Sequence, residues 1–483
     1  MVLTKLSSEP KKFQILLGTF VHSKSRTELD YLHNAAVAVD TRGQIAAIAR
    51  DCRSMSDAKD AVLRQTGWKA SEADVVECEE GQFFFPGFID THVHASQYPN
   101  IGIFGKSSLL DWLERYTFPL ECSLSDLAKA QRVYTACVRR TLAHGTTTAT
   151  YYTTIDVPAT NLLADLCLNL GQRAFVGRVC MDRKGFCPDY YEDESPEVAV
   201  HATRETISHI DKVDPGYELV SPILTPRFAP ACTPESMNAL SKIQKEKHLP
   251  VQTHISENKG EIELVKHMYP AAKTYADVYD KHELLTPKTV LAHAVYLTDD
   301  EATLISQRES KVSHCPCSNS SLTSGEARVR WMWDKGIEVG LGTDMSGGYS
   351  PSILEAARQA TLMSRHLAMQ IDDDDASRER CKLTVEEVLY LATRGGALCL
   401  GLGDKVGGFE VGKQLDAQLI ALGAVGDDGL RAGEDGVDWA DAGNVDVFGW
   451  ETWDERIAKW LYNGDDRNTK KVWVRGRLVH SRR

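Results

Sequence analysis

The chain of 483 residues has little that would place it in a membrane or on a polyanion. It contains no apolar run of the roughly 18 residues that a spanning helix needs, so no membrane association is expected. Its first residues carry no signal-type apolar stretch, and its last four are neither a prenylation box nor a peroxisomal tripeptide. A cytoplasmic location is the resulting expectation. Basic residues are in the minority, 55 against 68 acidic ones, for a net charge of −13. That balance speaks against a surface built for nucleic-acid backbone. None of the twelve cysteines forms a CxxC pair, and Cys315 and Cys317, two apart, make a poor bite for a structural metal. Scattered thiols without an export signal are expected to stay reduced. No solenoid-type repeat is visible. Hydrophobic residues at 42% and charged residues at 25% exclude wholesale disorder.

What is present is alternation. Eight short runs rich in Val, Ile, Thr and aromatics read as strands: 87–94, 146–152, 174–181, 219–227, 250–257, 289–294, 311–316 and 337–344. Between them, segments such as 125–144, 236–247 and 259–279 carry apolar residues at helical spacing. This α/β order predicts a closed, TIM-like (β/α)8 barrel over residues 81–400. Both flanks are strand-rich instead. Residues 35–39 and 44–49 face each other across the Thr41-Arg-Gly43 turn as a hairpin, and 417–422 and 472–480 read as further strands. One small β-sandwich domain assembled from residues 1–80 and 401–483 is therefore expected. The acidic run from Asp372 to Asp375 reads as a solvated loop between helices.

His92 and His94 stand two apart on the first strand, so their imidazoles share one face. Alone, such a pair fits a satisfied core as well as a metal. His254, His293 and Asp344, however, fall at the ends of the fifth, sixth and eighth strands. In a barrel those ends meet at one mouth, where active sites are built. Imidazoles with one carboxylate suit Zn²⁺, with Fe²⁺ as the other candidate.

The strings Pro86-Gly-Phe-Ile-Asp-Thr-His-Val-His94, Tyr116-Thr-Phe-Pro119, Thr225-Pro-Arg-Phe228, His254-Ile-Ser-Glu-Asn258 and Gly340-Leu-Gly-Thr-Asp344 resemble the amidohydrolase superfamily, and within it the deaminases that act on guanine. The likeness runs from about residue 80 to about residue 470. It implies hydrolysis of guanine to xanthine and ammonia, one zinc per chain held by His92, His94, His254 and Asp344, and a homodimer. It also implies that His293 lies beside the reacting water, that Glu257 shuttles a proton, and that Gln97, Arg227 and Phe228 recognise the purine. Substrate contact is further implied for His94, His254, Glu257 and Asp344. Read by residue type, Asp344 is placed to take the water proton and Glu257 to protonate a ring nitrogen. Arg227 offers a planar fork to a carbonyl edge and Gln97 both a donor and an acceptor, although a salt bridge at the barrel mouth is the plainer reading of Arg227.

Two departures narrow this. The fourth strand ends without the lysine that bridges two metals in many amidohydrolases, which favours a single metal. The string His314-Cys-Pro-Cys-Ser-Asn319 carries Cys317 where the family commonly has an amide. The HxE and PCxxC signature of the small zinc deaminases is absent. Two other readings remain: a related deaminase or chlorohydrolase of another amino-heterocycle, and a non-catalytic scaffold on the same fold.

Overall fold

The computed structural model describes residues 12–372, 374–426 and 443–482. Eight parallel strands follow one another as β1 (Phe88–His94), β2 (Thr146–Tyr152), β3 (Arg173–Gly177), β4 (Val220–Pro222), β5 (Val251–Ile255), β6 (Thr289–His293), β7 (Lys311–His314) and β8 (Val339–Leu341). They form two four-stranded halves, β4-β3-β2-β1 and β5-β6-β7-β8. The β4/β5 seam is bridged at Leu224, whose N–H donates to Pro250 and whose carbonyl accepts from Gln252. The β8/β1 seam is stitched by Asp344 N–H to the His92 carbonyl at 2.9 Å and by Thr91 Oγ1 to the Leu341 carbonyl at 2.8 Å. At this seam the buried Asp90 carboxylate also accepts from the Thr343 N–H and hydroxyl. Burial pushes its pKa up to about 7.

All eight expected runs contain a strand, but most strands are shorter than read, the eighth keeping only Val339–Leu341, and two runs are interrupted. The third and fourth break after Gly177 and Pro222 and resume as a separate parallel pair, Val179–Cys180 with Thr225–Pro226. Pro222 and Pro226 lack the N–H that a continuous ladder requires. The stretch read as one helix over 259–279 is two, Lys259–Met268 and Tyr275–Lys281. Pro270 follows the first, and Thr274 caps the second by accepting from Asp277 N–H. Leu127–Ala143 starts where Asp126 caps it, close to the reading. In the acidic run, Asp374 caps the helix Asp375–Cys381 through Ser377 N–H, while Asp373 lies outside the described residues.

The flanks build one eight-stranded sheet. Its path is Arg477–Ser481, Thr469–Val474, Ala417–Ala421, Gln82–Pro86, Phe13–Ser25, Glu28–Val39 and Ile45–Ala49, with Ala73–Glu77 added alongside Phe13–Ser25. The expected hairpin pairs Val39 with Ile45, and Gly43 turns it at φ 81° against the Arg475 carbonyl. The run over 472–480 is a second hairpin rather than one strand. Arg475 and Gly476 both have positive φ, 48° and 70°, which is the geometry of a tight two-residue turn. The strand Gln82–Pro86 leads directly into β1, and Trp460 packs against Phe83, Phe85 and Phe88 at that junction. A buried ion pair, Arg173 with Asp416, ties the sheet to β3. All twelve cysteines are free thiols. Among the described residues no helix is long and apolar enough to cross a membrane.

Candidate active site at the barrel mouth

The strand ends place every candidate residue on one side of the barrel. His92 and His94 project from β1, His254 from β5 and His293 from the last position of β6, while Asp344 follows β8. The backbone bends sharply here. Ser256, His293, Ala294 and Asp344 all hold positive φ, between 45° and 73°. Such conformations cost roughly 1–3 kcal/mol each and collect where function demands a fixed side-chain direction.

One ligand atom from each of His92, His254, His293 and Asp344 lies within 4.8 Å of the others. His94 completes the group. Its Nε2 is 3.3 Å from His254 Nε2 and 3.3 Å from Asp344 Oδ1, which is itself 3.2 Å from His92 Nε2. Donors held at about 2.0–2.1 Å from a tetrahedral ion lie about 3.3 Å apart, so these spacings fit a metal such as zinc. Among the described residues, buried His92 Nε2, which faces this cluster, has no hydrogen-bond partner, as expected of an atom that a cation would engage. Burial lowers the pKa of His92 to about 4 and that of His254 well below its ordinary value, keeping both imidazoles neutral as ligation requires. Burial opposes the charge of Asp344, but His92, His94 and His293 outweigh it and hold that carboxyl well below the usual range.

Partners behind these residues set their orientation. His254 Nδ1 donates to the Arg227 carbonyl at 2.7 Å, turning Nε2 into the cluster. His293 Nδ1 is 2.9 Å from Asn319 Oδ1, and its Nε2 faces Glu257 Oε2 at 3.6 Å and Asp344 Oδ2 at 3.7 Å. The two Asp344 oxygens thus face different ways, Oδ1 to His92 and His94, Oδ2 to His293. Burial disfavours the imidazolium of His293, yet Glu257 and Asp344 overcome this and raise its pKa. Glu257 itself is raised, chiefly by burial, and accepts from Ser324 Oγ at 2.9 Å. A carboxylic acid of raised pKa beside an imidazole can exchange protons near neutral pH.

The adjoining pocket is lined by Gln97, Arg227 and Phe228 beside Glu257, with Leu109, Trp112, Leu113 and Leu322 as its apolar wall. Arg227 and Phe228 follow the short strand Thr225–Pro226, and Gln97 lies on the 3-10 turn after β1. Arg227 is not a free fork. Its two terminal nitrogens pair with the Glu121 carboxylate, so the salt-bridge reading of this residue is realised inside the pocket. Sequence reasoning did not find Glu121, although it stands two residues after the Tyr116–Pro119 string. Nor did it find Asn319 or Ser324. Asn319, the last residue of the His314–Asn319 string, is buried against His293. Cys317 is buried in the main core and does not line the pocket, so the departure at that position lies off the site.

Comparison with known proteins agrees with this geometry. The model of the amidohydrolase family matches residues 83–479. A probable guanine deaminase of Schizosaccharomyces pombe is 45% identical over 467 residues, covering 96% of this chain and 83% of its own. The guanine deaminase of Homo sapiens is 40% identical, covering 97% of each chain. Among solved structures, a guanine deaminase from C. acetobutylicum with bound guanine in the active site superimposes with a TM-score of 0.81 at 30% identity. That match covers 97% of this chain and 100% of the other. Motifs, barrel and matched span together establish that the chain belongs to the amidohydrolase family.

Proposed function

We propose that the protein is a zinc-dependent guanine deaminase, converting guanine and water to xanthine and ammonia in purine catabolism. The carrying observation is the convergence of the imidazole–carboxylate cluster, Glu257 and the Gln97/Arg227 edge on one pocket. The guanine deaminases among its relatives support the same reading.

His92, His94, His254 and Asp344 would hold the metal. The 3.2–3.3 Å spacings around Asp344 Oδ1 and His94 Nε2 favour this set over one that includes His293. When bound, the ion supplies the Lewis acidity that makes water nucleophilic near neutral pH. Asp344 takes the water proton on Oδ2, the oxygen turned toward His293. Glu257 delivers its proton from Oε2 to the ring nitrogen beside C2, making that carbon electrophilic; Asp344 then passes the water proton to the departing amine, and the proton of the added hydroxyl returns to Glu257 as ammonia leaves. His293 stabilises the oxygen added at C2. Gln97 and Arg227 read the oxo edge of the base, and Phe228 and Trp112 give it apolar walls that exclude water. Two carboxylates thereby take different tasks because their surroundings push their pKa values in opposite directions.

The reading extends to architecture and setting. Residues 81–400 are taken as the barrel unit, except for the strand Gln82–Pro86, which pairs within the terminal sheet, and that sheet is taken as a small β-sandwich. Trp473 and Ile45, from the second and seventh strands along the sheet path, share one core, which supports that curling. A cytoplasmic homodimer is the assembly the family likeness suggests, and sedimentation of the purified protein tests it.

The deciding experiment follows ammonia release and the ultraviolet spectrum with guanine and with adenine, alongside zinc content. Xanthine from guanine alone, about one zinc per chain, and a loss of about 10²–10⁴-fold in Glu257→Gln with zinc retained are the expected results. Full zinc with no turnover of guanine would overturn the substrate assignment.

A further inference from the structure

Glu121 is a fully buried carboxylate directly behind the pocket-lining Gln97 and Arg227, and the reaction scheme leaves it idle. Its surroundings show what it does. Oε1 accepts from Gln97 Nε2 at 2.8 Å and from Arg227 Nη2 at 3.2 Å. Oε2 accepts from Arg227 Nη1 at 2.6 Å and from Tyr191 OH at 2.9 Å. An ionised carboxylate has about four acceptor positions, and here four donors fill them. The donors come from three separate places: the turn after β1, the loop after the Val179–Cys180 strand, and the segment after Thr225–Pro226. Neither side of the ion pair is more than 2% exposed, and Phe118 lies under the guanidinium with its centroid 5.1 Å from Cζ. Burial works against the charge of Glu121, but Arg227 outweighs it and holds the carboxyl below its ordinary value.

We infer that Glu121 is a positioning residue that fixes which atoms Gln97 and Arg227 turn toward the substrate, and so sets the hydrogen-bond polarity with which the pocket reads a purine edge. This rests on the guanine reading of the site. A carboxylate can only accept, so the Gln97 amide must give it the NH₂ group. The Gln97 carbonyl oxygen is then left with only a long 3.5 Å contact from Ser346 Oγ, and is available as an acceptor. Arg227 spends one N–H from each terminal nitrogen on Glu121 and keeps three of its five for other partners. The pocket therefore offers an acceptor from Gln97 and donors from Arg227. That pair complements a lactam, the N1–H and O6 of an oxopurine. An amidine-type edge, with an unprotonated N1, meets the wrong atom at Gln97 and leaves Arg227 donors unpaired. Without the Glu121 charge, the Gln97 amide is free to turn over and this discrimination weakens.

2-Aminopurine isolates the effect, because it carries the same C2–NH₂ bond as guanine but lacks the 6-oxo group and the N1–H. In the zinc-loaded protein, kcat and KM are measured for both bases in the wild type, Glu121→Gln and Glu121→Asp, with the melting temperature recorded for each. Glu121→Gln is expected to raise KM for guanine more than it lowers kcat, and to reduce the guanine to 2-aminopurine ratio of kcat/KM by at least about tenfold. Glu121→Asp, which keeps the charge but not the reach, should recover part of that ratio. A purely structural role would lower both substrates together and leave the ratio unchanged, which overturns the inference. Should Glu121→Gln be recovered unfolded, Glu121→Asp carries the same readout, and an unchanged ratio there is equally fatal. A wild type that turns over neither base would instead sink the guanine reading itself.

Discussion

Asn319 offers a sharp test of the catalytic geometry, because a single hydrogen bond separates two protonation patterns of His293. Asn319 Oδ1 lies 2.9 Å from His293 Nδ1, and both side chains are buried. With Nδ1 as donor, Nε2 is directed at Glu257 and Asp344, where a proton can be held or released. Leucine at position 319 has nearly the same shape and no acceptor. The His293 N–H would then be buried without a partner, at a cost of about 1–3 kcal/mol. Felt in the transition state, that is a fall in kcat of about 5- to 150-fold, at 1.36 kcal/mol per factor of ten. Zinc content should be untouched, since Asn319 bonds none of His92, His94, His254 or Asp344.

Asn319→Asp separates this account from simple damage. A carboxylate accepts the same bond and favours the charged imidazole, so most of the turnover should remain. The His293 pKa, already raised by Glu257 and Asp344, rises further, and an alkaline limb of kcat due to loss of its proton should move to higher pH. Steady-state kinetics across pH, with zinc assayed on every sample, reads all three quantities. An unchanged kcat in Asn319→Leu, or an Asn319→Asp protein as impaired as the leucine variant, would show that Nδ1 is not the donor. Cys317→Ala is the control from the same helix: Cys317 is off the pocket and its loss should leave kcat within about twofold while lowering the melting temperature through the small void it leaves.

Three further outcomes are expected. Chelation should remove activity and lower the melting temperature, and His254→Ala should abolish stoichiometric zinc by elemental analysis; a fully active protein free of metal would end the metal reading. Glu261 is buried, caps the turn after Glu257 by accepting from that residue's N–H, and has its pKa pushed from 4.5 up to about 7, mainly by burial. The folded state therefore binds this proton more tightly than the unfolded chain. The associated stability is present below 4.5 and is lost as pH rises through about 7, by ~3 kcal/mol at most. Denaturant midpoints of wild type and Glu261→Gln should accordingly converge toward low pH differently from high pH, the variant losing less across that window; parallel curves would contradict it. Arg173→Met, which strands buried Asp416 beside the sheet, should cost about 3–5 kcal/mol in denaturant unfolding, whereas a neutral result would mean that the pair carries no net load between sheet and barrel.

The same structure shows which parts of such a site a sequence can disclose. The clustered residues were legible because each follows a local rule. His92 and His94 share a face through the two-residue period of β1, and His254, His293 and Asp344 sit at or just past strand ends. The barrel was legible for the same reason, since its strands are buried on both faces and read as apolar runs. The errors fell where a local signal was overridden or weak: proline interrupted the runs at β4, and the Arg475-Gly476 turn hid inside an apolar stretch. The residues that orient the ligands left no local signal at all. Glu121 is 106 positions from Arg227, and Asn319 is 26 from His293, so their meeting depends on how loops from different strands return over the mouth. Glu121 in particular looks in sequence like any acidic residue on a short helix, a class usually solvated.

That division has a physical cause that bears on how such a pocket can change. A metal ligand is tied to a rigid strand end, where a shift of one residue would point it to the opposite face. The polarity of the purine edge is instead held by a carboxylate on the short helix Phe118–Cys122, which hydrogen-bonds neither the cluster nor Glu257. Reaction chemistry and edge recognition are thus built largely from different side chains that are joined at Arg227, whose carbonyl holds His254 while its guanidinium holds Glu121. Substitutions among Glu121, Gln97 and Tyr191 should redirect which amino-heterocycle is accepted while the metal stays bound. A backbone shift at Arg227, by contrast, should be felt in both metal affinity and substrate choice. Zinc titration of Glu121→Gln beside the wild type decides this: equal affinity with altered base preference supports two separable modules, and a loss of zinc with the loss of preference would show that they are one.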